Sequence, residues 1–275
     1  MAPGDILASY DFSAKTVVVT GGGGVLCAEM ARALAACHAT VVLVDRELAA
    51  AERVRATLPG TGHRAMHADV LDRAGLMVAA DTVVKDYDRI DGLINGAGGN
   101  HPAATTDAER SFFDLPADAL QFVANLNLVG TILPSQAFGR HMARQGEGAI
   151  LNISSMNAYR PLTRIPAYSA AKAAVSNFTQ WLAVHLAQEY SPNIRVNALA
   201  PGFFLTEQNR FLLTQKNTGE LTARGKSILA HTPMARFGSP ADLIGAMLWL
   251  LSPAASFVTG IVVPVDGGFS AYSGV

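Results

Sequence analysis

The sequence predicts an α/β fold, a doubly wound parallel sheet flanked by helices, formed as a single domain over residues 1–275. Three observations predict it. Short β-branched runs alternate with longer stretches of helical periodicity. The runs are apolar throughout, as strands covered on both faces must be. The first run leads into a glycine-rich turn and then a helical pattern, in TGGGGVLCAEM, Thr20 to Met30. A chain of 275 residues that is 50% hydrophobic can bury a substantial core without disulfides. No internal repeat and no linker rich in Pro, Gly or Ser divides it.

The elements follow in order. Thr16–Thr20 (TVVVT) is the first strand; glycines stop it, and Leu26–Cys37 continues at helical spacing. Thr40–Val44 (TVVLV) is the second and delivers Asp45 at its end. His63–His67 is the third, followed by a helix over Arg73–Asp86. Gly92–Ile94 is a short fourth strand, and Asp118–Gln145 reads as one long helix. Gly148–Ile153 (GAILNI) is the fifth strand and runs into two serines; Ser169–Tyr190 is the next helix. Arg195–Leu199, a helix over Pro240–Leu251, and the strand Val262–Val265 complete the Rossmann-type pattern. Two insertions break the rhythm, Gly98–Pro116 and Phe203–Ser239. Both follow the carboxyl ends of strands, where open α/β sheets bind ligands, so both are expected to wall or cover a substrate.

The turn after the first strand is expected to hold a dinucleotide. Gly21 and Gly24 let the backbone approach a pyrophosphate, and Val25 and Leu26 open a helix whose N-terminus attracts anions. A tight turn without a ligand is the alternative. Asp45 favours the dinucleotide, because a carboxylate about 20 residues beyond the turn accepts from the adenosine ribose hydroxyls. It would also repel a 2′-phosphate, which predicts NAD(H) over NADP(H). Arg46 is either a phosphate contact or a solvated loop residue. Cys27 stands where such turns often have their last glycine; it is either a packing residue or a thiol activated at a helix N-terminus.

YSAAK places Tyr168 and Lys172 on one helical face. A tyrosine is a poor acid or base near neutral pH, and a lysine cation beside it is expected to lower its pKa. Ser155, at the end of the fifth strand, can orient a substrate oxygen and stabilise charge developing on it. A solvated surface pair is the bland alternative for Tyr168 and Lys172.

With these motifs in order, the chain resembles the short-chain dehydrogenase/reductase family across nearly its whole length. Thr20–Cys27 stands where that family has TGxxxGxG; Asp69, with Val70 beside it, matches the residue that contacts the adenine ring. Asn95, followed by Ala97 and Gly98, matches NNAG, and Asn127 matches the asparagine of the catalytic tetrad. Ser155, Tyr168 and Lys172 match its other members. Pro201 and Gly202, with Phe204 and Thr206 beyond, match the PGxxxT segment that holds the nicotinamide carboxamide. Val25, Cys27 and Gly96 depart from the family pattern, at positions that mainly shape backbone. The resemblance implies that Tyr168 is the general acid/base and that Lys172 lowers its pKa and binds the nicotinamide ribose. It implies that Ser155 orients the substrate oxygen and that Asn127 holds a water relaying protons to solvent.

Polar side chains cluster near strand ends: Asn100, His101, Asn157, Arg160, Arg164, Glu207, Gln208, Asn209 and Arg210. They suit a polyhydroxylated substrate, and the arginines suit a carboxylate; solvated loop residues are the alternative for each. The segments NGAGGNHP, SSMNAYRPLTRIPAYSAAK, APGFFLTEQNRFLL and VPVDGGFSAYSGV resemble one subgroup of that family, the D-mannonate oxidoreductases, or fructuronate reductases. That resemblance implies interconversion of D-fructuronate and D-mannonate. A dehydrogenase of another sugar, polyol or gluconate-type acid, and a non-catalytic NAD(H) sensor, are the competing readings. The C-terminal segment resembles the family's tetramer-forming end, which implies a homotetramer.

Composition narrows the partners. A net charge of −1 offers no basic face for a nucleic acid. Two cysteines make no disulfide framework and fit a reducing cytoplasm. Seven scattered histidines without acidic partners at ligand spacing predict no metal site. The N-terminal stretch lacks a signal-peptide pattern, and no apolar run reaches membrane-spanning length.

Overall fold

Seven strands pair in parallel in the computed structural model, which describes residues 3–205, 213–215 and 218–274. They are β1 (Thr16–Thr20), β2 (Thr40–Asp45), β3 (Arg64–His67), β4 (Gly92–Asn95), β5 (Gly148–Ile153), β6 (Ile194–Pro201) and β7 (Val262–Val265). Each lies within two residues of its expected bounds. The spatial order is β3-β2-β1-β4-β5-β6-β7. The winding therefore reverses between β1 and β4, which opens a crevice at their carboxyl ends. The registers Thr20↔Val44 and Thr20↔Asn95 bring those ends level.

The helices are α1 (Pro3–Ala8), α2 (Val25–Ala36), α3 (Leu48–Arg55), α4 (Arg73–Tyr87), α5 (Ala117–Ala124), α6 (Gly130–Gln145), α7 (Pro166–Glu189), α8 (Ala223–Ala230) and α9 (Ile244–Leu251). Strand pleating sends successive residues to opposite faces. Val17 and Val19 pack with Met30 and Leu34 of α2 and Met247 of α9, while Val18 packs with Leu76 of α4 and Phe138 of α6. The apolar strands thus serve two cores, one on each side of the sheet. No helix among the described residues is long and apolar enough to cross a membrane.

The expected single helix over Asp118–Gln145 is broken. A π-helical turn, Asn125–Val129, separates α5 from α6. The Asn127 side chain is the local cause: its Nδ2 donates to the carbonyl of Val123 at 2.8 Å, the acceptor that an unbroken α-helix gives to the Asn127 N–H. Gly130 then lets α6 approach closely, since a Cβ there would lie 2.9 Å from Val70 Cγ2. Three smaller corrections concern helix ends and additional helices. α7 starts at Pro166, where a proline at the first helical position loses no hydrogen bond. Pro240–Leu243 is a 3-10 turn closed by a Ser239–Asp242 capping box, and α9 follows it. α1, α3 and α8 were not among the expected helices; α8 lies inside the second insertion.

Candidate active site

The turn after β1 is built for close approach. Gly21 adopts φ +66°, and a Cβ there would lie 2.8 Å from the Ala97 backbone. Gly24 caps α2 in extended conformation with no side-chain hydrogen bond, and the first turn of α2 carries no acidic residue. Its N–H groups and positive dipole end are therefore open to an anion. They face a cavity of about 510 Å³ at the sheet switch point.

The sequence-predicted cofactor residues mostly converge there. Gly21, Gly24, Val25 and Leu26 form one wall, and Ala97 and Gly98 another. Asp45 lies at the far end; its Oδ2 accepts from Gly23 N at 2.9 Å and its Oδ1 from Glu47 N at 2.8 Å. Arg46 is exposed on the same rim, 3.9 Å from Glu47. Asp69 and Val70 follow β3, with Asp69 Oδ1 accepting from Leu71 N. Pro201, Gly202 and Phe204 follow β6. Asn95 is a correction, because it does not line the cavity. It is buried, and its Nδ2 donates to Ser135 Oγ at 2.9 Å and Asn152 Oδ1 at 2.8 Å, tying the sheet to α6. Thr206 lies outside the described residues.

The catalytic candidates gather at one end of this cavity. Ser155 and Tyr168 line it. Ser155 Oγ accepts from Asn157 N at 3.3 Å, and its hydroxyl acts on the Tyr168 phenol in the direction that lowers its pKa. Lys172, one turn along α7, is buried; its Nζ donates to Ile153 O at 2.7 Å and sits 5.6 Å from the Tyr168 ring centroid. Asn127 Nδ2 also donates to Gly99 O at 2.7 Å, and its Oδ1 accepts from Gly99 N at 3.2 Å. Gly98 backs onto both residues: a Cβ there would lie 2.8 Å from Asn127 Oδ1 and 3.2 Å from Lys172 Nζ. Asn127 and Lys172 thus stand directly behind the cavity wall.

The electrostatics differ from the sequence expectation. Burial pushes Lys172 down to about 8. Burial also pushes the Tyr168 phenol above its ordinary value, and the hydrogen bond from Ser155 opposes that rise. The net shift of Tyr168 is upward, against the expected lowering, since desolvation favours the neutral form of each group. Cys27 is a packing residue: its thiol is buried, approaches Thr20 O at 3.7 Å, and is pushed up to about 12 by burial.

The substrate candidates divide. Arg164 lines a second cavity. Arg160 instead holds the C-terminal segment, donating from Nε to Ser270 O at 3.1 Å. Asn100 donates to Thr105 Oγ1, and His101 Nδ1 accepts from Ala103 N, so both shape their own exposed loop. Asn157 is buried beside Ser155 with its Oδ1 unpartnered, and it does not line the dinucleotide cavity. Glu207, Gln208, Asn209 and Arg210 lie outside the described residues.

Sequence reasoning missed three supporting groups. Phe122 and Leu126 line the dinucleotide cavity from the segment leading to Asn127. Ser154 Oγ lies 3.1 Å from the Lys172 carbonyl and 2.7 Å from Ser176 Oγ, bracing α7 against β5. The doubled serine after β5 was its only signal.

Known proteins share this arrangement of the chain. Residues 25–270 match the family model described as enoyl-(acyl carrier protein) reductase. An uncharacterized oxidoreductase of Bacillus subtilis is 48% identical, over 96% of this chain and 98% of that protein. A galactitol 2-dehydrogenase (L-tagatose-forming) of Cereibacter sphaeroides is 38% identical, over 92% of this chain and 94% of that protein. A crystal structure from Haemophilus influenzae, provisionally named a D-mannonate oxidoreductase and holding NAD, superposes with a TM-score of 0.90. It is 46% identical, over 98% of this chain and 100% of that one.

Proposed function

This chain belongs to the short-chain dehydrogenase/reductase family, and on that premise we propose that it interconverts D-fructuronate and D-mannonate with NAD(H). It is an NAD-dependent oxidoreductase acting between a carbonyl and a secondary alcohol. The observation that carries the chemistry is that Ser155 and Tyr168 line one cavity together with the glycine turn and Asp45, with Lys172 buried one helical turn beyond Tyr168. The sugar-acid substrate is supported by the Haemophilus influenzae structure and by arginines beyond the catalytic end. The galactitol dehydrogenase favours a second reading, a neutral polyol.

The residues present fit the dinucleotide. The uncapped start of α2 suits its pyrophosphate, and Asp45 suits the adenosine ribose and opposes a 2′-phosphate. Asp69 and Val70 would border the adenine, while Pro201, Gly202 and Phe204 would border the nicotinamide end. When bound, the nicotinamide supplies or accepts the hydride. Tyr168 donates its phenolic proton to the substrate oxygen during reduction and takes it back during oxidation. Ser155 holds that oxygen within reach of the phenol. Lys172 is a cation below pH about 8; it steadies negative charge at Tyr168 as the proton moves and holds the nicotinamide ribose. Asn127 fixes the π turn behind Lys172, and a water held beside it passes protons to solvent.

In this reading the enzyme is a homotetramer of the reducing cytoplasm. The exposed aromatic face of α7, where Trp181 stacks on His185 at 4.8 Å, supports burial against another copy. Light scattering tests the assembly; a monomer at micromolar concentration contradicts it. Activity is tested by following NADH absorbance with D-fructuronate, with NADPH in parallel. Oxidation with NADH and little with NADPH is expected. Binding of both cofactors without turnover of D-fructuronate, but with turnover of galactitol and NAD, would move the assignment to neutral polyols.

A further inference from the structure

A second cavity, of about 340 Å³, is lined by residues that neighbour in sequence those of the catalytic end. Its walls come from four segments. Arg164 and Ile165 lead directly into α7, which carries Tyr168 in its first turn. Phe203 precedes Phe204, which lines the dinucleotide cavity. Arg224 lies on α8 and His231 ends it. Phe269 closes the remaining side, with its ring 5.2 Å from that of Phe203 in an edge contact. The volume suits a small polar molecule.

The donor set is specific. Among the described residues, two guanidinium groups line the cavity and no carboxylate does. Neither makes a hydrogen bond or an ion pair with another described residue. Asp107 lies near enough for Arg164 to act on its carboxylate, but Asp107 is held by Glu109 N at 2.9 Å and Arg110 N at 2.8 Å and does not line the cavity. His231 Nδ1 lies 2.8 Å from Ser227 O. A carbonyl only accepts, so Nδ1 carries the hydrogen and the neutral ring keeps Nε2 as an acceptor. Two unpaired forks match a carboxylate, and an imidazole acceptor matches a hydroxyl.

We propose that this cavity is the distal substrate subsite, in which Arg164 and Arg224 hold the carboxylate of a hydroxy acid and His231 accepts from one of its hydroxyls. The inference rests on the sugar-acid reading above and assigns that reading its recognition residues. Ile165 caps the helix that carries Tyr168 three residues on, which places this wall of the cavity next to the catalytic tyrosine along the chain. Arg160, which the sequence offers on equal terms with Arg164, has no part in it, because Ser270 takes its Nε–H.

The test is equilibrium binding of D-mannonate to the enzyme–NADH complex, in which no turnover occurs, with D-mannitol as the neutral comparison. Arg224→Gln and Arg164→Gln are each expected to weaken D-mannonate about tenfold or more and D-mannitol less than about twofold. Lys226→Gln, the same charge change on the same helix but outside the cavity, is expected to leave both unchanged. Unchanged NADH affinity shows that each variant is folded. If wild type binds D-mannonate and both arginine variants retain that affinity within about twofold, the subsite is wrong and the sugar-acid reading stands. If the wild-type complex binds D-mannitol or galactitol but not D-mannonate, the sugar-acid reading fails and the subsite fails with it.

Discussion

Gly96→Ala is expected to destabilise the chain through one atom. A Cβ at position 96 would come closer than 3.0 Å to Cys27 Sγ, a separation that real Cβ atoms essentially never show. Cys27 is 5% exposed and sits under the first turn of α2, so the thiol has nowhere to swing. Overpacking of this kind costs about 1–3 kcal/mol. Cys27→Ala alone leaves a small void and costs about 1 kcal/mol. With the sulfur gone, the new Cβ would meet Cys27 Cβ at 3.8 Å, an ordinary contact, and Thr20 O at 3.0 Å, which needs only a small adjustment. The double variant is therefore expected to cost little more than Cys27→Ala alone. That is a coupling energy of about 1–2 kcal/mol between the two sites. Urea unfolding of the four proteins measures it, and NADH titration reports whether the turn recovers its shape. Additivity within about 0.5 kcal/mol would refute the packing argument. The two departures from the family pattern would then be independent, rather than a cysteine accommodated by a glycine.

Lys172→Met removes a cation whose burial is costly below pH about 8; between there and the ordinary lysine value of 10.5 the unfolded chain binds more protons, so wild-type stability climbs with pH. The variant is expected to be inactive yet to melt higher than wild type near neutral pH, by up to about 3 kcal/mol, with the gap closing as pH rises through that window; a lower melting temperature near neutral pH contradicts this. Asp45→Asn keeps an acceptor for Gly23 N but removes the charge, so the ratio of kcat/KM for NADPH over NADH is expected to rise about tenfold; an unchanged ratio contradicts Asp45 as the selector. A thiol-specific disulfide reagent is expected to label Cys37 in the native chain and both cysteines only in denaturant, because Cys27 is buried and pushed up to about 12; native labelling of Cys27 overturns its packing role.

Seven strands, the switch-point turn, Asp45 and the Ser155–Tyr168–Lys172 set were legible because each rests on local spacing. A β-branched run declares a strand, and a helical i, i+4 pair declares a shared face. The π turn was not legible, since the pattern Asp118–Gln145 is helical on both sides of it and the break comes from one side chain competing for the Val123 carbonyl. Asn95 was misplaced for a related reason. The motif puts it at a strand end, but its side chain turns into the core toward Ser135 and Asn152, not into the cavity.

The sequence by itself determined the fold class, the family and the residue types that carry the chemistry, because covalent spacing and side-chain chemistry are written in one dimension. Only the tertiary structure decided which groups share a space. It joined Gly96 to Cys27, separated Arg160 from Arg164, and brought Arg224 and His231 from α8 to Arg164. It also set the charge states, pushing Lys172 and Tyr168 toward neutrality. Those outcomes depend on distances between elements far apart in the chain and on how much water each group loses, and both arise only when the layers pack.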